Sequence, residues 1–150
     1  MSDAAMIVAG AVACMGLAGA GSAFGTGFAS ASAVGAWKKC YAANKPAPFT
    51  LLTFVGLPLS QTLYGMILMF VMSGKAAVAG IGPAMLALGL FAGLGIGMSA
   101  LFQGRAAACA CDAQAETGQG LANYVIALGV VETVAIFMMV FTIIALGKIG

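Results

Sequence analysis

Histidine is absent from this sequence, tryptophan occurs once and proline four times, and charge is scarce: six Lys or Arg face four Asp or Glu in 150 residues. Each scarcity excludes something. With no His, and with Cys109 and Cys111 as the single close cysteine pair, a metal site at that pair is the minor alternative, and Cys14, Cys40, Cys109 and Cys111 read as small apolar packing residues. A net charge of +2 without an acidic or basic tail excludes nucleic acid as a partner. The amino terminus lacks the basic n-region of a cleaved signal peptide, so the first apolar segment is expected to remain as a helix. No phosphate loop is present either. Gly19, Gly21, Gly25 and Gly27 fit neither the dinucleotide nor the P-loop spacing, and direct ATP binding is not expected.

What is there is apolar. Hydrophobic residues make up 63% of the chain, charged residues 7%, and the mean hydropathy is +1.11, values that call for a lipid solvent. Four runs, Ala4–Gly35, Phe49–Ser73, Ala79–Ala108 and Leu121–Leu146, reach the roughly 20 residues that cross a bilayer of about 30 Å. None shows the alternation of a barrel strand, which leaves helices as the way to pair every backbone group in lipid. The fold class expected is an all-α membrane protein of four transmembrane helices, the first and third projecting beyond the bilayer.

The two halves repeat each other, as a single membrane domain over 1–150 built from a hairpin at about 1–75 and another at about 76–150. Gly19, Gly25 and Gly27 match Gly89, Gly95 and Gly97 at an offset of 70, and Leu57 and Gln61 match Leu128 and Glu132 at an offset of 71. A duplicated hairpin enters the membrane twice in the same orientation. Rows of small residues at four-residue spacing (Gly21, Gly25, Ala29, Ala33 and Gly89, Gly93, Gly97) predict that helices one and three approach closely, with helices two and four outside them. Lys38, Lys39, Lys45 and Arg105 lie toward one membrane side, and Lys75 and Lys148 toward the other. The positive-inside rule then puts the first and third connections in the cytoplasm and both termini outside, in a multi-pass cell-membrane protein.

Nine of the ten charges lie in or near polar stretches or chain ends; Glu132 lies inside the fourth apolar run. A charge at mid-membrane costs about 2.5–3.5 kcal/mol on insertion scales, and such residues mark ion pathways. Counting from the polar turns, Glu132 lies as far after Thr117 or Gly118 as Gln103 lies before it, and Gln61 falls at the same depth after Ala47. Leu57, Ser60, Gln61 and Tyr64 form one helical stripe beside Pro58, whose missing N–H predicts a kink, and Ser99 shares the face of Gln103. The Glu132 carboxylate, the Gln61 and Gln103 amide oxygens, the Ser60 hydroxyl and the Leu57 carbonyl make a five-oxygen shell suited to a hard cation such as Na+. Tyr64 is placed to hold the carboxylate. The alternative cargo is H+, which needs little beyond the carboxyl group.

These residues resemble the membrane-ring proteolipid, known as c or K, of V-type rotary ATPases. The resemblance spans both hairpins. The run Leu57-Pro58-Leu59-Ser60-Gln61-Thr62-Leu63-Tyr64-Gly65 is similar to the Leu-Pro-x-Thr-Gln-x-x-Tyr-Gly motif of sodium-pumping members, with Ser60 for Thr, and Gln103-Gly104-Arg105 is similar to their Gln-Gly-Lys. The resemblance implies a homo-oligomeric ring in lipid that turns against a static membrane subunit bearing an essential arginine, with a cytoplasmic rotor subunit resting on its polar loops. Glu132 would bind one ion per chain, and ATP would be hydrolysed elsewhere. The chain itself would not be an enzyme. A structural proteolipid pore ring is the competing reading.

Overall fold

A computed structural model describes residues 1–149; Gly150, the last residue of the expected second hairpin, lies outside the described residues. The elements, in order, are α1 (Asp3–Ala42), α2 (Leu51–Gly56), a 3-10 turn (Leu57–Leu59), α3 (Ser60–Ser73), α4 (Gly82–Thr117) and α5 (Leu121–Leu146), with no strand among the described residues. Counting α2, the turn and α3 as one span, four helices are long and apolar enough to cross a membrane.

The expected boundaries shift in three places. α1 runs on to Ala42, where Asn44 takes a left-handed conformation (φ 52°) that its short polar side chain tolerates. α4 starts at Gly82 rather than Ala79, because Gly80 turns the chain at φ 81° and Pro83 occupies the first helical turn, where its missing N–H costs nothing. It then continues to Thr117 and stops at left-handed Gly118, whose N–H bonds the Gln114 carbonyl. At 40 and 36 residues, α1 and α4 are about 60 and 54 Å long, well beyond a hydrocarbon core, so both project as expected. Proline acts where anticipated: Leu57–Leu59 tightens into a 3-10 turn containing Pro58.

Small residues set the packing. α1 and α4 make the most extensive helix pair, and their backbones touch. A methyl group on Gly89 would overlap the Gly10 carbonyl, and one on Gly104 would overlap the Gly25 backbone. In lipid, where apolar burial supplies no net drive between helices, such close approach supplies dispersion contact instead. The predicted rows Gly21, Gly25, Ala29, Ala33 and Gly89, Gly93, Gly97 are all buried. α3 lies against α1, α5 against α4, and α3 meets α5. The outer face of α5 carries exposed Ile126, Val130, Phe137 and Phe141, as a lipid-facing helix should.

The two ends are tied by polar contacts. At one end Lys39 pairs with Asp112 at 2.9 Å and the Trp37 ring N–H donates to the Pro48 carbonyl. At the other, the Gly80 N–H donates to Asp3, and Lys75 donates to the Ile149 carbonyl at 2.7 Å. The first and third connections therefore share one end. Between the ends, the apolar core divides in two, one cluster around Ile7, Cys14, Leu68, Met85 and Ile96 and another around Ala33, Leu51, Phe54, Ala107 and Leu128. The buried Ser22, Gln61, Ser99 and Gln103 belong to neither cluster.

Candidate ion-carrying site

α3 and α5 meet at this polar layer, and the side chains counted to one depth from the turns come together. The Glu132 carboxylate, half-buried on α5, takes hydrogen bonds at Oε1 from the Ser60 hydroxyl (2.5 Å) and the Tyr64 hydroxyl (2.7 Å). At Oε2 it accepts from the Gln103 amide (3.3 Å). Helical spacing produces this: Ser60 and Tyr64 are four residues apart on α3 and so share the face turned to α5. The first turn of α3 follows directly on the 3-10 segment, which brings the Leu57 carbonyl to within 3.0 Å of the Ser60 Oγ.

Ser60 Oγ is the hub. Within 3.2 Å of it lie three acceptor oxygens: Leu57 O at 3.0 Å, Gln61 Oε1 at 3.2 Å and Glu132 Oε1 at 2.5 Å. A hydroxyl has one proton and can donate it once. Leu57 O also takes the Ser60 backbone N–H and Glu132 Oε1 the Tyr64 hydroxyl, so the three oxygens gather around Ser60 as donors that a positive charge could share. No cluster of three His, Cys, Asp or Glu side chains exists among the described residues. The oxygen donors here are the kind a hard cation takes.

Gln103 turns the other end of its amide to the carboxylate. It stands at the expected depth and is fully buried, but it presents nitrogen rather than oxygen to the carboxylate. Its Nε2 also donates to the Leu128 carbonyl (3.0 Å), and its Oε1 accepts from Gln61 Nε2 (2.8 Å). The reason is local: an anionic oxygen and a backbone carbonyl both take the donor end of a neighbouring amide. Gln61, also fully buried, keeps its oxygen on the Ser60 side. Ser99 donates to the Val131 carbonyl at 2.9 Å and so pins α5 one residue before Glu132.

Two participants escaped the sequence reading. The Leu128 carbonyl, one turn before Glu132, became visible only once the Gln103 amide was located. Ser22 is 2% exposed and its hydroxyl is unpartnered. Its signal was available, since it is a hydroxyl set in the small-residue row of α1, directly after Gly21. Elsewhere Cys109 is exposed while Cys111 is buried, with its thiol near the Ala29 and Leu51 carbonyls, so the pair does not converge.

Residues 86–145, which include Gln103 and Glu132, match the family model of the ATP synthase C subunit. The match covers most of the hairpin of α4 and α5 and less than half of the chain. No curated protein matches the chain.

Proposed function

We propose that this chain is the ion-carrying proteolipid of the membrane rotor of a V-type rotary ATPase, and that its cargo is Na+, bound once per chain at Glu132. The observation that carries the cation reading is the crowding of Leu57 O, Gln61 Oε1 and Glu132 Oε1 around one Ser60 hydroxyl. A cation among them would share those oxygens. Glu132 supplies the negative charge, Ser60, Gln61 and the Leu57 carbonyl supply neutral oxygens, and Gln103 adds its own after its amide turns over. Tyr64 holds the carboxylate by donating to Oε1.

The family match over α4 and α5 supports the rotor assignment. Copies of the chain would form a homo-oligomeric ring in lipid. Glu132 would load from one side, travel with the ring, and discharge where a static membrane subunit presents an arginine, which competes with Na+ for the carboxylate. The end bearing Lys38, Lys39 and Lys45 would face the cytoplasm and a rotor subunit there, leaving both termini outside. ATP hydrolysis would occur on other subunits. One charge crossing 100 mV involves about 2.3 kcal/mol, so one ATP can move several ions.

A proton is the second reading, since a carboxyl group at this depth can carry one without any further ligand. Labelling of Glu132 by a carboxyl-reactive carbodiimide separates the two. Protection by Na+ and Li+ but not by K+ is expected of the oxygen shell; indifference to Na+ overturns the sodium cargo. Glu132→Gln is expected to abolish ion pumping by the assembled ATPase, and retained pumping overturns the rotary role in favour of a structural ring.

A further inference from the structure

The two glutamine amides are ordered in one direction. Gln61 Nε2 donates to Gln103 Oε1, while Gln103 Nε2 donates to Leu128 O and Glu132 Oε2. A cation shell built on Glu132 needs the Gln103 oxygen on the carboxylate side. Turning that amide over brings Oε1 into place but sets Gln103 Nε2 against Gln61 Nε2. Two donors would then face each other, and a fully buried N–H of Gln61 would lose its acceptor. Orphaned buried donors are costly, so a second acceptor must lie within reach if Gln103 is to be a ligand.

Ser22 Oγ is an unengaged buried acceptor on α1. Among the described residues, two buried side-chain polar atoms have no hydrogen-bond partner: Ser22 Oγ and Gln114 Oε1. Gln114 belongs to the last turn of α4, far from the site, whereas Ser22 lies in the polar layer. Its register follows from three close approaches between antiparallel α1 and the span containing α3. A methyl group on Gly25 would meet Pro58 Cβ at 2.9 Å, one on Gly65 would meet Ala18 Cβ at 2.6 Å, and one on Gly19 would come 4.0 Å from the Thr62 hydroxyl. Ser22, between Ala18 and Gly25, is therefore level with Gln61, between Pro58 and Gly65. On α1 it shares a face with Ala18, four residues before it, and with Gly25, three after it, where an added methyl would meet the Ala100 carbonyl of α4 as well as Pro58.

We infer that the Ser22 hydroxyl is the alternate acceptor for the Gln61 amide, taking its N–H when Gln103 turns its oxygen to the cargo. The inference rests on the cation reading above. The exchange is one of hydrogen bonds alone: the Gln61 N–H leaves Gln103 Oε1 and joins Ser22 Oγ, Gln103 Nε2 gives up Leu128 O and Glu132 Oε2, and the freed Gln103 Oε1 becomes a ligand. Ser22 is a positioning residue that acts through Gln61 and touches no ion.

The test is Ser22→Ala in the full membrane-embedded chain, read as the Na+ concentration that half-protects Glu132 from the carbodiimide. One lost hydrogen bond predicts a rise of about fivefold. The labelling rate without Na+ is expected to stay as it was, because the amide order of the Na+-free site does not use Ser22. Ser22→Thr, which keeps the hydroxyl, is expected to lie nearer the unsubstituted chain than Ser22→Ala. An unchanged half-protecting concentration in Ser22→Ala overturns this inference and leaves the cation reading standing. An equal change in the Na+-free rate, or a Thr variant worse than the Ala variant, also overturns it, by exposing a packing role. Absence of Na+ protection in the unsubstituted chain overturns the cation reading itself.

Discussion

Removing the Ser60 hydroxyl is the sharpest perturbation this site allows. Ser60→Ala deletes the one atom that contacts Leu57 O, Gln61 Oε1 and Glu132 Oε1 together, while leaving the helix intact, since Ala is the better helix former. Hydrogen bonds to charged groups contribute about 1.5–3 kcal/mol, and because Ser60 and Glu132 are only half-buried the lower end applies. About 1.5 kcal/mol corresponds to slightly more than tenfold in affinity. The half-protecting Na+ concentration for carbodiimide labelling of Glu132 is therefore expected to rise at least tenfold in Ser60→Ala. Ser60→Thr, which keeps the oxygen, is expected to change it less than about threefold. An Ala variant with unaltered Na+ protection would show that the hydroxyl is no part of the cation shell, and the argument from crowded oxygens would fail with it.

Two predictions concern the frame around the site. Gly89→Ala forces a methyl group into the Gly10 carbonyl, so α1 and α4 must separate, and the thermal stability of the detergent-solubilised chain is expected to fall by about 1–3 kcal/mol; Gly27→Ala, with open space around it, is expected to change little. Equal melting of the two variants would refute glycine-mediated packing as the cause. The Lys39–Asp112 pair is 74% and 53% exposed, so Lys39→Ala is expected to leave the melting temperature essentially unchanged, with any effect vanishing in high salt. A clear drop, measured by the same melting, would show that the pair is not the surface contact its exposure implies.

Much of the frame was legible because lipid leaves the backbone few options. A run such as Leu121–Leu146 has to be helical to pair its amides, and rows such as Gly89, Gly93, Gly97 have to meet another backbone to have any packing at all. The overshoot of α1 and α4 followed from their polar ends. Boundaries were missed at Gly80 and Pro83, where turn geometry outweighed hydropathy. At the site, depth counting brought Gln61, Gln103 and Glu132 to one level, because rise per residue is nearly constant along a helix.

The sequence by itself determined which residues could meet: periodicity assigns a face and distance from a turn assigns a depth, and both are properties of a single helix. It could not determine which atom of each side chain looks where. Gln103 turns its nitrogen to Glu132 because the carboxylate, the Leu128 carbonyl and the Gln61 amide compete for it from separate stretches of helix. The same packing leaves the buried Ser22 hydroxyl without a partner. Hydrogen-bond direction is settled only when donors and acceptors from separate helices are packed together, and that is a property of the tertiary structure alone.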